Sequence, residues 1–370
     1  MSRKKTPMKW YKKLWVAPMM LLNICASGAL VLCAFSQQIP AARLPLMSLT
    51  GLAFPFALAA VVLFLLFWLL TWKKGCWLSV LTLIVCFTSI RDMCPLNFRR
   101  QSPPDNAIKL LSYNICSTNV PSGKIIDTPT LDYIRESGAD IVCLQECNVG
   151  SMRNIDERSA TCQTYPYRAH VIMGNGTRAH GLDCLSKFPI VDVQDITFEG
   201  SGNGAARYLI LVEGDTLALF NCHLQSFGLN DDDKSVYEDI LNDPRDNIAT
   251  TKTKDLVKKL RDAGAQRAVH ADDIARRIDE TGARYTIVCG DFNDAPVSYA
   301  HHRLTRRLVD AHTRSGNGFD FSYTRDHMYF RIDHILASKN LAPWRCRVDH
   351  KVTFSDHHPI SAFFTIGEEQ

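Results

Sequence analysis

The stretch IVCGDFND, residues 287–294, indicates how the C-terminal two-thirds of this chain folds. Three apolar residues come first, and a glycine followed by acidic and amide side chains closes the stretch. A short apolar run with such a boundary is typical of a buried strand that ends at the edge of a sheet. Because Asp and Asn also form turns after strands, this stretch alone predicts a strand end and leaves its chemistry open.

The same arrangement recurs in five other places along the chain. Apolar runs end in polar side chains within LSYN (111–114), IVCLQE (141–146), LFNCHL (219–224), RIDHIL (331–336) and SDHHP (355–359). A buried carboxylate costs roughly several kcal/mol unless it is paired or bound to a metal ion, so convergence of these side chains predicts a cation among them. The strand-end residues are Asn114, Glu146, His223, Asp291, Asn293, Asp333, Asp356 and His357.

The alternation of short apolar runs with turn residues predicts a mixed domain over residues 107–367. Its fold class is α+β, a two-sheet β-sandwich flanked by helices. A charged stretch at 226–261 is long for a connection, which is typical of a lid or binding loop, although a solvated helical decoration is the alternative. Strands are predicted at 108–115, 141–145, 182–186, 207–212, 217–223, 285–289 and 332–337, and helices at 130–137, 246–261 and 263–281.

Residues 1–94 read as a membrane anchor, joined to the mixed domain by a polar linker at 95–106. Uncharged apolar runs at about 14–35 and 46–70 are each long enough to span a bilayer. A third run at 76–90 is shorter than usual and spans only if its flanks lie among the headgroups. The sequence therefore predicts three transmembrane helices, with a cleavable signal peptide as the alternative for the first run.

Charges beside these runs predict the orientation of the anchor. Six basic residues lie in the first thirteen positions, and Lys73 and Lys74 follow the second run, so the positive-inside rule places both segments in the cytoplasm. With three spans the chain is a multi-pass integral membrane protein whose mixed domain is extracytoplasmic. If the third run only dips into the bilayer, the domain is instead cytoplasmic.

Composition narrows the classes of site and partner. The chain has 13 cysteines but no CxxC pair, so neither a zinc knuckle nor a redox motif is predicted. The net charge of +4 owes much to the basic N-terminus, and no Lys/Arg stripe with interleaved aromatics follows. This argues against a dedicated duplex DNA binder. No obligate protein partner is implied.

Six motifs in order give the mixed domain a resemblance to a known family. They are SYNI, LQE, GLDCLSKFPI, NCHL, GDFND, and RIDHI closed by SDHHPI. The chain resembles the endonuclease/exonuclease/phosphatase superfamily with the DNase I-like fold, which includes nucleases, inositol polyphosphate 5-phosphatases and neutral sphingomyelinases. The resemblance covers about residues 107–367. It implies a hydrolase that cleaves phosphate esters by in-line attack of an activated water.

The family's roles carry over onto the matching positions by resemblance. Glu146 is similar to the principal metal ligand, with Asn114 and Asp356 near the same ion. Asp291 resembles the residue that orients or deprotonates the attacking water, and Asn293 the one that holds a phosphate oxygen. The remaining roles are those of His357, a phosphate contact kept in place by Asp333, and of His223, the second histidine near the leaving oxygen.

Ligand chemistry agrees with this assignment. An oxygen-rich set without a Cys/His cluster suits a hard cation, Mg²⁺ or else Mn²⁺, rather than zinc. Arg178, His180 and Arg207 flank the middle strands and are candidates to meet an anionic substrate, with solvated surface charge as the alternative for each.

The natural substrate stays open at the level of the sequence. The candidate substrates are a phospholipid, as in a sphingomyelinase-like phosphodiesterase, an inositol phosphate, or DNA or RNA, and the lipid bilayer is a partner through the N-terminal helices. The non-enzyme alternative is a catalytically inactive, membrane-tethered binding module. The sequence argues against this alternative, because every expected position of the catalytic site carries the expected residue.

Overall fold

The C-terminal part of the chain consists of two six-stranded sheets. The computed structural model describes residues 15–71, 74–98, 102–116, 128–148, 160–174, 179–243, 250–325 and 328–366. The strands are β1 (Ile108–Asn114), β2 (Ile141–Asn148), β3 (Tyr167–Met173), β4 (His180–Ser186), β5 (Ile190–Thr197), β6 (Gly204–Val212), β7 (Asp215–His223), β8 (Tyr285–Asp291), β9 (Leu308–Asp310), β10 (Asp333–Ser338), β11 (Leu341–Val348) and β12 (Ile360–Ile366).

The first sheet has the order β11-β12-β1-β2-β4-β3, and the second has the order β5-β6-β7-β8-β10-β9. Within them β1 pairs with β2, and β7 with β8, in parallel, while the other pairs are antiparallel. The core lies between the sheets, where inward residues such as Leu110, Cys143, Leu219 and Ile287 pack together. The predicted α+β sandwich is confirmed.

Helices cover the outer faces of the two sheets. They are α5 (Thr128–Glu136), α6 (Ala160–Thr164), α7 (Asp231–Asn242), α8 (Thr251–Thr281), α9 (Tyr299–Thr305) and α10 (Ala311–Ser315). The two helices predicted at 246–261 and 263–281 are one helix of 31 residues, α8, which Thr250 caps at its N-terminus and Gly282, at φ 58°, ends. Most of the stretch expected to be a lid is therefore helical, in α7 and the first part of α8, while residues 226–230 are irregular and residues 244–249 lie outside the described residues.

Several strands were not predicted because they lack a continuous apolar run. In β12 the buried residues Ile360, Ala362 and Phe364 alternate with less buried ones, which is the period-two pattern of a half-buried strand. The edge strand β5 is exposed at most positions, so its sequence carries little hydrophobic signal. Strands β3, β9 and β11 were likewise missed.

The N-terminal segment folds into α1 (Val16–Ser36), a short 3₁₀ helix (Pro45–Leu49), α2 (Thr50–Leu70), α3 (Cys76–Val85) and α4 (Phe87–Met93). Two helices, Val16–Ser36 and Pro45–Leu70, are long and apolar enough to cross a membrane. The third predicted span is a pair of helices, α3 and α4, bent by 69°. These apolar helices indicate membrane association.

Polar side chains join the bent pair to α1 at both ends. The Ser79 hydroxyl lies 3.2 Å from Oδ1 of Asn23, near the start of α1, and the Gln37 amide donates to Ser89 Oγ at 3.0 Å, just past its end. Asn23 and Gln37 are 14 residues apart, which is about 21 Å along a helix. The α3–α4 segment therefore runs beside α1 over most of its length.

The end of this helical bundle contacts the sandwich. Gly51 of α2 packs against the backbone of Val297, and the Ser48 hydroxyl lies 3.4 Å from the Arg261 carbonyl oxygen of α8. The Arg331 guanidinium donates to the carbonyl oxygen of Asp92 at the end of α4. The connection between α1 and α2 and the end of α4 therefore lie on the same side of the bundle, next to the sandwich.

Candidate active site

The alternation of the second sheet places three polar residues at one end of the sandwich interior. Leu217 and Leu219 of β7, Ile287 and Cys289 of β8, and Ile335 of β10 line the core. Continuing the same inward faces by two residues on β8 and β10, and by four residues on β7, gives Asp291, Asp333 and His223. The register aligns them, since His223 is the partner of Asp291 and Asp291 is the partner of Asp333.

Glu146 reaches the same interior from the first sheet through a β-bulge. The pairing of β2 with β4 shifts register between Leu144 and Cys147, and Glu146 has φ 54°. Without the bulge, Gln145 would point inward and Glu146 outward; the extra residue brings both toward the interior. A left-handed conformation in a non-glycine residue costs of order 1–3 kcal/mol, which the surrounding pairing of β2 with β4 offsets.

Asn114 connects the carboxylates of the two sheets. Its Nδ2 donates to Glu146 Oε1 at 3.1 Å and to Asp291 Oδ2 at 3.1 Å. The Nε2 atom of His223 lies 3.5 Å from Glu146 Oε1 and 3.7 Å from Asp291 Oδ2. Four side chains from β1, β2, β7 and β8 thus meet at a single point.

His357 completes the cluster from the loop before β12. Its Nδ1 lies 2.8 Å from Asp333 Oδ2 and its Nε2 lies 3.7 Å from Asp291 Oδ2. Burial lowers the pKa of His357, but the Asp333 and Asp291 carboxylates outweigh burial and raise this pKa to about 10. His357 is therefore an imidazolium at neutral pH, with its Nδ1–H directed at Asp333.

Burial shifts the pKa values of Asp291 and His223 in opposite directions. Burial, together with the negative charges of Asp333 and Glu146, raises the pKa of Asp291 to about 7 in the chain alone, although His357 opposes this rise. Burial and the neighbouring His180 and His357 hold the pKa of His223 well below its usual value, so His223 is neutral. A neutral imidazole has one N–H and one lone pair, so it can donate a hydrogen bond to an oxygen or accept a cation or a proton.

The donor set fits a divalent cation. Ligand atoms of Glu146, His223 and Asp291 all lie within 4.8 Å of one another, as do those of Asp291, Asp333 and His357. The buried Nε2 of His223 makes no hydrogen bond to any group in the described part of the chain. Carboxylates crowded around an unbonded imidazole nitrogen are the arrangement that a positive ion would relieve.

Three more predicted site residues border the cluster. His180 Nε2 lies 3.2 Å from His223 Nδ1. Asn293, at φ 51°, donates its backbone N–H to Asp291 Oδ1 at 2.8 Å and its side-chain amide to the Leu224 carbonyl at 3.2 Å. Asp356 lies on the Asn114 side, since the Ser355 hydroxyl is 2.8 Å from the Asn114 carbonyl oxygen and 3.1 Å from Asp356 Oδ1.

Arg207, a predicted substrate contact, lies away from the cluster. Arg207 lies on the outward face of β6 and pairs with Asp192 at 2.5 Å, so we do not place it in the site. The prediction failed because strand alternation turns Arg207 away from the inward residues Ala206 and Tyr208. Arg178 lies outside the described residues.

Two supporting residues were missed by sequence reasoning. Ser355 bridges Asn114 and Asp356 and also accepts the backbone N–H of His357 at 3.2 Å, and its position beside Asp356 in SDHHP was the available signal. Tyr323 packs edge-on against the His357 ring at 5.2 Å between centroids, in a segment with no periodic pattern. Only the fold brings Tyr323 to the site.

Two packed mixed sheets thus hold a buried cluster of acids and imidazoles between their ends. Residues 111–357 match the Endonuclease/Exonuclease/phosphatase family, and the chain belongs to that family. Residues 13–93 match a family described as Domain of unknown function (DUF8431). No curated protein matches the chain.

Solved structures share the fold at low sequence identity. The endonuclease/exonuclease/phosphatase from Beutenbergia cavernae is 14% identical, covers 71% of this chain and 72% of its own, and has a TM-score of 0.50. Truncated TDP2 from Caenorhabditis elegans is 17% identical over 70% of this chain and 97% of its own, with a TM-score of 0.47. The Bacteroides thetaiotaomicron mannosyl-6-phosphatase Bt3783 is 14% identical over 70% and 99%, with a TM-score of 0.46.

Proposed function

We propose that this chain is a magnesium-dependent hydrolase that cleaves a phosphate ester by in-line attack of water. The observation that carries the proposal is the convergence of acidic and imidazole side chains from both sheets at one point, namely Glu146, His223, Asp291, Asp333 and His357.

Glu146 is the proposed principal ligand of the cation, with Asn114 and Asp356 near the same ion or its water shell. When bound, Mg²⁺ or Mn²⁺ supplies positive charge that stabilises the developing charge on the phosphoryl oxygens. The bulge that turns Glu146 inward supports this role, as does the contact between Asn114 and the Glu146 carboxylate.

His357 is the proposed phosphate-binding group of the chain. A buried imidazolium is a fixed positive charge in a site of low polarity, where it stabilises an anionic transition state more than it would in water. Asp333 accepts from Nδ1 at 2.8 Å, which leaves the Nε2–H of His357 directed toward Asp291 and the space above it.

Asp291 is the proposed base that orients or deprotonates the attacking water. The backbone N–H of Asn293 fixes its Oδ1, so Oδ2 is the oxygen that faces the cluster. Asn293 is proposed to hold a phosphate oxygen. His223 lies beside both acids with an unbonded Nε2, and we assign it to the leaving oxygen, with His180 supporting its ring.

The position of the site supports a substrate at the bilayer surface. The segment that leaves Asp291 and Asn293 continues to Ala295 and Val297, which pack with Leu30 and Phe54 of the anchor. The catalytic end of the sheets is therefore the end that adjoins the apolar helices. A phospholipid or another membrane-bound phosphoester is the preferred substrate, ahead of soluble inositol phosphates and nucleic acid.

A substrate panel tests this proposal. Full-length protein in detergent micelles or liposomes is assayed with magnesium on a sphingomyelin-type lipid, a glycerophospholipid, inositol phosphates, DNA and RNA. Wild type should cleave a lipid phosphoester, and Asp291→Asn should lose on the order of a hundredfold or more. Asp192→Asn, which alters an exposed acid outside the site, is the matched control. Absence of turnover on every substrate would favour the binding module.

We further propose that the anchor crosses the membrane three times and that the sandwich is extracytoplasmic. The bent α3–α4 pair runs beside α1 from Asn23 to Gln37, which supports a third crossing despite the 69° bend. The sandwich contacts the connection between α1 and α2, which α1 separates from the basic N-terminus, and basic flanks stay in the cytoplasm. A reporter fused after Gln370 should be active only outside; activity only in the cytoplasm would refute this orientation.

A further inference from the structure

Three buried side chains converge on the opposite face of the second sheet from the catalytic cluster. They are His301 of α9, Asp310 at the end of β9 and His334 of β10, with exposed fractions of 1%, 5% and 1%. His334 follows Asp333 along β10, so it points away from the catalytic residues and toward α9. Ligand atoms of the three side chains lie within 4.8 Å of one another.

Asp310 presents one fixed oxygen to this cluster. Its Oδ1 caps α10 by accepting the backbone N–H groups of His312 at 2.7 Å and Thr313 at 3.3 Å. The other oxygen, Oδ2, lies 2.9 Å from Nε2 of His301. The N-cap therefore orients the carboxylate before any ligand arrives.

His334 directs its Nδ1 atom toward the cluster, and this atom has no hydrogen-bond partner among the described residues. Its Nε2 donates to the backbone carbonyl of Asp294 at 2.9 Å, which assigns the ring hydrogen to Nε2 and a lone pair to Nδ1. Nδ1 is buried and has no hydrogen-bond partner in the described ranges. A histidine that donates one N–H to a carbonyl and directs the other nitrogen inward is typical of a metal ligand.

We propose that His301, Asp310 and His334 bind a second divalent metal ion, zinc in preference to magnesium, at a structural site separate from the catalytic cluster. Two imidazole nitrogens and one carboxylate oxygen suit zinc, whose bonds to them are about 2.0–2.2 Å. Ligands at that distance lie about 3.3 Å apart around a tetrahedral ion, so small side-chain movements close the site.

Arg331 and Asp92 are charged side chains beside the three ligands, and both link the site to the end of the anchor. The Arg331 guanidinium acts on Asp310 and His334 and opposes a cation, but it already donates to His312 and to the Asp92 carbonyl oxygen. The Asp92 carboxylate of α4 lies close enough for its charge to act on His301 and Asp310. Asp92 and Asp310 together offset Arg331, and the ion would tie α9 to the strand that carries Asp333, beside the end of the anchor.

Metal content of the full-length protein tests this site. The protein is purified in detergent with a tag that contains no histidine, incubated with zinc or cobalt, desalted, and measured by elemental mass spectrometry and visible absorption. Wild type should hold about one more metal ion per chain than the double variant His301→Asn/His334→Asn. Glu146→Gln, which changes the proposed catalytic ligand, should also hold this additional ion. The cobalt form should show the d–d bands of a four-coordinate ion, lost in the double variant.

Two further variants keep the test decisive. His302→Asn changes a neighbouring histidine of α9 that is not in the cluster, and it should bind like wild type. Asp310→Asn retains an oxygen to cap α10, so it should stay folded by circular dichroism while losing the ion. The proposal is overturned if wild type holds no zinc after desalting, or if wild type and folded Asp310→Asn hold equal amounts with the same cobalt spectrum.

Discussion

The Asp333→Asn substitution tests the proposed charge on His357. Asparagine has nearly the same shape and can still accept from Nδ1 of His357. It removes the largest contribution among the three carboxylates, Asp333, Asp291 and Asp356, that raise the pKa of this histidine to about 10. Burial then acts with less opposition, so we expect the pKa to fall to the ordinary value of about 6.5 or below it. The chain would lose its imidazolium at neutral pH.

The size of the effect follows from the protonated fraction. With a pKa near 10, His357 is almost fully protonated at pH 7.5, whereas with a pKa near 6.5 only about one-tenth is protonated. The ratio of wild-type to variant kcat/KM should therefore be about 10 at pH 7.5 and roughly 300 at pH 9, and it should approach 1 as the pH falls to 6.

A pH profile of kcat/KM with a generic phosphodiester is the assay. Asp320→Asn is the matched control, because Asp320 accepts from His350 at 3.0 Å in a similar pair outside the catalytic cluster. That control should keep the wild-type profile. A ratio for Asp333→Asn that is constant from pH 6 to pH 9 would show that Asp333 does not keep the proton on His357, and the reasoning would fail.

Three other changes probe the cluster and its support. Gly290→Ala places a Cβ against the Cys222 backbone at φ 127°, so it should lower the free energy of unfolding by at least about 2 kcal/mol in urea melts, while Gly202→Ala, which meets open space, should not. Ser355→Ala removes the hydroxyl between Asn114 and Asp356, so the half-saturating magnesium concentration should rise about 5- to 30-fold in rate titrations. An unchanged concentration would show that Ser355 does not support the metal site. His223→Gln should reduce kcat on a natural alkoxide leaving group by about a hundredfold but much less on a nitrophenolate, and equal losses on both substrates would argue against the leaving-group role.

Residues at strand ends were predictable because the sheets obey simple periodicity. Asp291 and His223 follow buried apolar runs, and parallel β7 and β8 bring the ends of those runs together. The strand and helix segments that carry the six motifs were also predictable from the sequence, since each has a local hydrophobic pattern.

Features that depend on pairing between distant segments were not predictable. The bulge that turns Glu146 inward arises from the register of β2 with β4, and no local pattern encodes it. Arg207 was a candidate substrate contact because it flanks a middle strand, and which face of β6 turns inward depends on the packing of the two sheets. The cluster of His301, Asp310 and His334 was missed because a helix and two strands contribute one ligand each, with no common spacing.

The break in the third apolar run has a similar cause. Residues 76–90 resemble a short span, but α3 ends at Val85 and α4 starts at Phe87 with a 69° bend. Side-chain contacts with α1, through Asn23 and Gln37, fix the path of this segment. Such interhelical hydrogen bonds are a property of the assembled bundle and leave only isolated Ser and Asn residues in the sequence.

Chelation and restoration of activity test most directly whether the buried cluster works through one hard cation. Full-length protein is stripped with chelator, and hydrolysis of a phosphodiester is followed as magnesium or manganese is returned, in wild type and in Glu146→Gln. Wild type should lose nearly all activity and regain it with either ion, while the variant should regain at most about one-hundredth of the wild-type rate. Full hydrolysis by the chelated wild type, or equal recovery by Glu146→Gln, would contradict the account.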